Sequence, residues 1–196
     1  MAQIYAYHLN RVNDAVILID NAIALTNNPL RLIKLNEILG DIYFSNLRIF
    51  TKSAKVYNEL IEIKPRLSNF YEYKYRYAES LFLSNSFQKS LIAFNSLKEE
   101  FPESNLSKIQ FRIGLINYFL KNYKSAENIF KEIIDGEYNY SYKVKASFYL
   151  AGIYEDTNQM ELAFKYYNII KYDYPNTSLI NQKINSINQK IIEIGL

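Results

Sequence analysis

A column of small side chains recurs in this sequence at intervals of 36 and 37 residues, at Ser90, Ala126 and Ala163. A large side chain stands four positions after each of them, at Phe94, Phe130 and Tyr167. Thirteen positions before each stands an apolar residue directly followed by a second small one, in the pairs Tyr77 and Ala78, Ile113 and Gly114, Leu150 and Ala151. Because a chain with this period buries each unit only against its neighbours, we expect a stack of similar units.

The same landmarks divide the whole chain. An earlier copy contains Gly40, Tyr57 and Pro65 with a slightly longer internal turn, and a fainter partial copy precedes Pro29. The predicted organisation is one repeat domain, 1–196, with a partial unit at 1–29, full units at 30–66, 67–103, 104–138 and 139–175, and a last segment at 176–194. Apolar residues in that last segment are interleaved with Asn, Gln and Lys, which predicts a capping helix with one apolar and one polar face.

The stretch YEYKYRYAES, residues 71–80, places tyrosine at every second position, which is the period of a half-buried β-strand. Phe70, Tyr73, Tyr77 and Leu81 have instead the spacing of one helix face. The repeat decides between the two, because each unit reads as a helix, a tight turn containing Asn or Ser, and a second helix. The small columns would let the two helix backbones approach closely beside a large side chain.

These columns resemble the tetratricopeptide repeat over roughly residues 30–175, although the tryptophan common in the first column of that family is absent. The resemblance implies an all-α fold, a right-handed superhelical solenoid of antiparallel helix hairpins with about 10–11 helices. The unit length and the boundary motifs EEFPES and YDYPNTS are most similar to a bacterial envelope subgroup, which includes outer-membrane-assembly lipoproteins and the periplasmic coordinator of the Tol-Pal system. We therefore expect a periplasmic or envelope location, with the cytoplasm as the alternative.

The residue types argue against catalysis. The chain has no cysteine and one histidine, His8, which has no evident second metal ligand or nucleophile. The five glycines are scattered and form no phosphate-binding loop. Acidic pairs such as Glu155 and Asp156 are interpreted as solvated helix ends. We therefore expect no enzymatic activity, no metal and no cofactor.

The charge pattern disfavours a polyanionic partner. The chain has 23 basic and 20 acidic residues, and because they are interspersed no strong positive field exists to gather nucleic acid. No apolar run reaches the roughly 18 residues that a membrane-spanning helix needs. Membrane association would therefore require a partner or an anchor outside this sequence.

The resemblance also implies a binding surface, since in this family the first helices of successive units line a groove that contacts partners. The implied contact residues are Glu72, Tyr75, Glu79 and Phe82 in one unit, Lys108, Phe111, Leu115 and Tyr118 in the next, and Lys145 and Phe148 in the third. Aromatic rings offer contact area at low ordering cost. The alternative for each ring is packing between adjacent helices.

The expected function is a non-catalytic adaptor that binds another protein or a peptide segment in this groove. The alternative is a structural protein that associates with itself as a homo-oligomer. Some family members clamp a C-terminal carboxylate, and Lys108 and Arg112 match the basic residues of that site. Glu37 and Asp41 stand where its other two polar residues would be, and because two acids repel a carboxylate, this binding mode is disfavoured.

Overall fold

The computed structural model of the protein describes residues 11–102 and 105–195, and within these ranges it contains ten α-helices and no β-strand. The helices are α1 (Val12–Leu25), α2 (Pro29–Asp41), α3 (Phe50–Glu62), α4 (Phe70–Leu83), α5 (Phe87–Glu100), α6 (Leu106–Phe119), α7 (Tyr123–Asp135), α8 (Tyr140–Asp156), α9 (Met160–Ile169) and α10 (Thr177–Ile194). One π-helical turn, Ile42–Asn46, extends α2. The predicted all-α fold of helix hairpins is confirmed.

The helix packing divides the chain into two compact units, Met1–Phe101 and Pro102–Leu196. In the first unit α2 pairs with α3 and α4 pairs with α5, while α1 packs against α2. In the second unit α6 pairs with α7 and α8 pairs with α9. We call α2, α4, α6 and α8 the first helices of their hairpins, and α3, α5, α7 and α9 the second helices. The prediction of one continuous repeat domain stays a prediction.

The tyrosine-rich stretch lies in α4 and is helical, as the repeat predicted. Tyr73 and Tyr75 are buried, while Tyr71 and Tyr77 are half-buried. The helix packs against both α3 and α5, so side chains on more than one of its faces are covered. Partial burial all round a helix therefore explains why the sequence imitates the two-residue period of a strand.

The small columns lie where helices cross closely. A Cβ added to Gly114 would stand 2.7 Å from Cε1 of Phe130, and one added to Gly40 would stand 3.0 Å from Cζ of Tyr57. Both rings are buried, with 0% of Phe130 and 3% of Tyr57 exposed. The predicted nesting of small residues against large rings is therefore present in both units.

The turns inside the hairpins repeat with the same period. The small column of the second helices comprises Ser53, Ser90, Ala126 and Ala163. A residue with positive φ stands five positions before each of them, at Arg48 (54°), Asn85 (60°), Lys121 (58°) and Asn158 (58°). The left-handed conformation reverses the chain so that a later amide can donate back to the first helix, as Gln159 N does to Tyr154 O at 2.7 Å.

The first hairpin has one residue more than the others between the small residues of its two helices, Gly40 and Ser53, as its longer internal turn predicted. The π-helical turn absorbs that residue, because Leu47 N donates to Ile42 O, five residues back, at 3.0 Å. The hairpin can therefore keep the packing of the others despite the insertion.

Helix α10 closes the second unit by packing against α9. Ile180, Ile184 and Ile187 are buried on one face, and the opposite face carries mostly Asn, Gln and Ser. The side chain of Asn176 caps the helix by accepting from Leu179 N at 3.0 Å. These features are those of the predicted capping helix.

Candidate partner-binding surfaces

The first unit has an open cavity of about 230 Å³ between the first helices α2 and α4, which we call the Glu72 cavity. Its lining combines three carboxylates, two cations and two tyrosines with an amide and an isoleucine: Lys34, Glu37, Ile38, Asp41, Tyr57, Asn69, Glu72, Tyr73 and Arg76. The spacing of three to four residues within each helix brings these side chains to one face. The cavity is therefore polar and carries both signs of charge.

Tyrosine hydroxyls fix two of these carboxylates. Tyr57 Oη donates to Asp41 Oδ1 at 2.6 Å, and Tyr73 Oη donates to Glu37 Oε1. Lys34 Nζ lies 2.9 Å from the other oxygen of Glu37. The carboxylates are thus held in place by groups from α3 and α4 as well as from their own helix.

The same contacts decide the protonation states. Burial opposes ionisation of Glu37, but the hydrogen bonds from Tyr73 and Lys34 outweigh it and lower the pKa of this carboxyl. Burial, together with the hydrogen bond to Glu37, raises the pKa of Tyr73 to about 12. At neutral pH the cavity therefore presents an ionised Glu37 with a neutral tyrosine as its donor.

The second unit has a smaller open cavity of about 160 Å³, which we call the Tyr118 pocket. It lies among α6, α8, α9 and α10, and its lining is Tyr118, Phe148, Tyr149, Gly152, Glu155, Asp156, Tyr167 and Lys183. A Cβ added at Gly152 would lie 3.5 Å from the hydroxyl oxygen of Tyr118, so a side chain there would narrow the pocket without a clash.

The aromatic rings of the Tyr118 pocket are ordered by one another. The ring of Phe148 stacks on Tyr174 with 4.6 Å between centroids. The Tyr149 ring lies 5.4 Å from both Tyr118 and Phe148 and 6.0 Å from the buried Phe130. Because each ring is supported by the next, the half-buried rings can offer a preformed surface to a partner.

The polar side of the pocket consists of two consecutive carboxylates near the end of α8. Asp156 accepts from Tyr123 Oη at 3.0 Å and from Tyr118 Oη at 3.4 Å. Glu155 accepts from Lys183 Nζ of the capping helix at 2.8 Å. Burial and the nearby Asp156 raise the pKa of Tyr118 to about 12, so the hydroxyl remains a donor.

The structure brings some of the predicted contact residues together and separates others. Glu72 lines the Glu72 cavity, and Tyr118 and Phe148 line the Tyr118 pocket. Lys108 and Lys145 are exposed on the same two first helices of the second unit. These five side chains are the predicted residues that remain accessible in part or in full.

The other five predicted contact residues are buried: Tyr75, Glu79, Phe82, Phe111 and Leu115. The ring of Tyr75 packs edge-on against Phe94 at 5.8 Å, and the ring of Phe111 lies 6.0 Å from Phe130. The rings of Tyr75 and Phe111 therefore pack between helices, which was the stated alternative to partner contact. A role of any predicted residue in partner contact stays a prediction.

Sequence reasoning missed Tyr149 and Lys183, and it interpreted Glu155 and Asp156 only as a solvated helix end. Asp156 is indeed exposed, yet both carboxylates line the Tyr118 pocket. The position of Tyr149 beside Phe148 was the available signal. No sequence signal indicated that Lys183 lines the pocket, because α10 reaches the pocket only through tertiary packing.

Within the described ranges, no group of three or more histidine or acidic side chains is placed to hold a metal ion. None of the described helices combines the length and apolar character that crossing a membrane requires. His8 lies outside the described residues.

Comparison with known families gives a match to the tetratricopeptide repeat at residues 145–177, which cover most of α8, all of α9 and the start of α10. No curated protein matches the chain.

Three solved structures that share this fold are distant from this chain in sequence. One, described as kinesin light chain nearly identical TPR-like repeats from Podosopora anserina, is 10% identical with a TM-score of 0.59, covering 96% of this chain and 92% of that one. BtubC (BKLC) from P. vanneervenii is 14% identical with a TM-score of 0.62, covering 92% of this chain and 81% of its own. A thermophilic TPR protein from Thermus thermophilus is 15% identical with a TM-score of 0.54, covering 94% of each chain.

The likeness to these structures agrees with the all-helical hairpin fold. The chain therefore matches the tetratricopeptide repeat at residues 145–177 and has the helix-hairpin fold of tetratricopeptide-repeat proteins.

Proposed function

We propose that this protein is a non-catalytic scaffold that binds a segment of a partner protein on the first helices of its hairpins. Tetratricopeptide repeats generally act as protein–protein interaction scaffolds. The observation that carries the proposal is the Tyr118 pocket, in which half-buried rings from α6 and α8 stand beside the carboxylates of Glu155 and Asp156. Rigid rings with polar groups at their edges are the composition of protein-binding surfaces.

The size of the pocket favours a protein partner over a cofactor. A volume of about 160 Å³ is below the roughly 300 Å³ at which small-molecule sites begin. One side chain of a partner segment fills such a space, and the exposed Lys108 and Lys145 on the same helices can contact the flanking residues. The contact area would then come from several small subsites along the first helices.

Site-specific photo-crosslinking tests this function in the native host. A photo-reactive phenylalanine analogue at position 118 or 148 should crosslink one and the same protein, and the analogue at Leu162, exposed on the second helix α9, should not. Purification with tagged Tyr118→Ala should lose that partner. Tyr172→Ala is the matched control, because Tyr172 is 85% exposed and does not line the pocket.

Two results would contradict the proposal. One is the absence of any crosslinked protein at positions 118 and 148 in the host. The other is equal loss of the partner in Tyr118→Ala and Tyr172→Ala. If the crosslinked protein is a second copy of this chain, and light scattering shows a mass that rises with concentration, the self-associating alternative holds instead.

The proposed setting is an assembly in a bacterial cell envelope, with the cytoplasm as the alternative. The support is the similarity of unit length and of the motifs EEFPES and YDYPNTS to the envelope subgroup. Fractionation of host cells checks it: the protein should be released with the periplasm or retained with the membranes. Recovery with the cytoplasmic proteins alone would reject the envelope setting without affecting the binding function.

A further inference from the structure

The second helices of the first unit carry an apolar groove that the proposed function does not use. This groove, which we call the Ile92 groove, has a volume of about 280 Å³. Its walls are α3 and α5 and its floor is α4, with Ile61, Lys74, Tyr77, Lys89, Ile92 and Ala93 among the lining residues. The Glu72 cavity, by contrast, has a mostly charged lining.

Ile92 is an exception in the repeat. It stands two positions after the small column, and the same position holds Lys55, Asn128 and Lys165 in the other three hairpins. All four side chains are exposed, and Ile92 has 71% of its surface accessible. A solvated position that is polar in three hairpins and isoleucine in the fourth, beside an apolar groove, indicates a surface that is covered by something else.

The charges around the groove indicate the chemistry of a partner that would fit it. Among the described residues its lining has two lysines and no carboxylate. Lys74 is already bonded to Glu100 and to Ser96, with 3.1 Å between Nζ and the serine hydroxyl. Lys89 is exposed, precedes Ile92 by one helical turn, and makes no ion pair with any residue that the structure describes. A partner carboxylate would therefore find its complement at Lys89 while an apolar side chain lies beside Ile92.

We infer that the Ile92 groove docks an amphipathic helix of a partner protein whose apolar stripe is flanked by Asp or Glu. Two helices standing over a third form a trough that accepts another helix along its length. The apolar stripe of the ligand covers Ile61, Ile92 and Tyr77, and the flanking carboxylate pairs with Lys89. This surface lies on the second helices of the first unit and shares no lining residue with the Tyr118 pocket.

A displayed library of helical peptides of about 15 residues, the length at which isolated helices become stable, provides the probe. Selection on the whole protein should enrich apolar residues at one-turn spacing flanked by Asp or Glu. Binding of a selected peptide should weaken about tenfold in Ile92→Asn and stay unchanged in Ile169→Asn, where the isoleucine is 56% exposed in the other unit. Tyr118→Ala should also leave it unchanged, which separates this site from the proposed function.

Charge reversal identifies the second contact. Lys89→Glu should weaken the binding of an acidic peptide about tenfold. Replacing the flanking Glu of the peptide by Lys should then restore binding to the Lys89→Glu variant. The inference is overturned if no peptide is selected, or if selected peptides bind Ile92→Asn as tightly as the unmodified protein. It is also overturned if the unliganded protein is a dimer that Ile92→Asn converts to monomer, because the groove would then be covered by a second copy.

Discussion

The close approach at Gly114 yields the sharpest test of how the hairpins pack. In Gly114→Ala the new Cβ would lie 2.7 Å from Cε1 of Phe130 and 3.0 Å from Cγ2 of Ile129. Real Cβ atoms essentially never show the shorter distance, so the ring or one of the two helices must shift. The Phe130 ring is fully buried and has Phe111 and Tyr149 beside it, each about 6.0 Å away between centroids, so neighbouring rings restrict its movement.

Two opposing effects set the magnitude. Alanine stabilises a helix interior by about 1 kcal/mol relative to glycine. Overpacking a closed core costs about 1 to 3 kcal/mol. The net loss in the free energy of unfolding is therefore about 0 to 2 kcal/mol, which a single variant would leave ambiguous.

Gly152→Ala removes that ambiguity, because Gly152 also lies inside a first helix of the same unit. The nearest atom to its new Cβ is the Tyr118 hydroxyl oxygen at 3.5 Å, an ordinary contact. This variant keeps the helix gain and avoids the clash, so it should be more stable than Gly114→Ala by about 1 to 3 kcal/mol. Urea unfolding followed by circular dichroism measures the difference. Equal stability of the two variants would refute the nesting of α6 against α7.

Two further outcomes follow from the turns and the cavities. Lys121→Gly should raise the free energy of unfolding by about 0.5 to 1 kcal/mol, because Lys121 has a φ of 58° and glycine adopts this region freely. Lys165→Gly, inside α9, is the control and should lower the free energy of unfolding. For Glu37 the pKa is lowered from 4.5 by its hydrogen bonds, so its ionised form stabilises the folded state above pH 4.5 and that stabilisation disappears as the pH falls through the lowered pKa. The stability difference between the unmodified protein and Glu37→Gln should therefore be largest near neutral pH and shrink in acid, as urea titrations at several pH values would show. A difference that does not change with pH would contradict the role of the ionised carboxylate, and Glu62→Gln, at an exposed position, is the control.

The repeat was readable from sequence because packing two helices at close range requires a small side chain at one fixed position. Gly114 and Ala126 occupy such positions and are buried, and Phe130 fills the space beside them. The extra residue of the first hairpin was visible as a longer turn, but the π-helical turn at Ile42–Asn46 was not, because where a helix widens depends on its neighbours.

The candidate site was only partly predictable. Spacing placed Phe111, Leu115 and Tyr118 on one face of α6, as they would be on any helix. Whether a residue on that face is covered depends on the next hairpin, and the ring of Tyr149 from α8 covers Phe111 while Tyr118 stays half-buried. Burial can also come from within a hairpin, since the buried ring of Tyr75 lies against Phe94 of the paired helix.

The amino-acid sequence by itself determined the helix hairpins, their period and the nature of the last helix, because these depend on local spacing and on steric limits that recur in every unit. Only the tertiary structure decided which rings are buried and which face solvent, how the carboxylates of Glu37 and Asp156 obtain tyrosine donors, and how Lys183 reaches the Tyr118 pocket. Those outcomes arise from side chains that are distant in sequence and meet across helices, and no one-dimensional period encodes the distance between them.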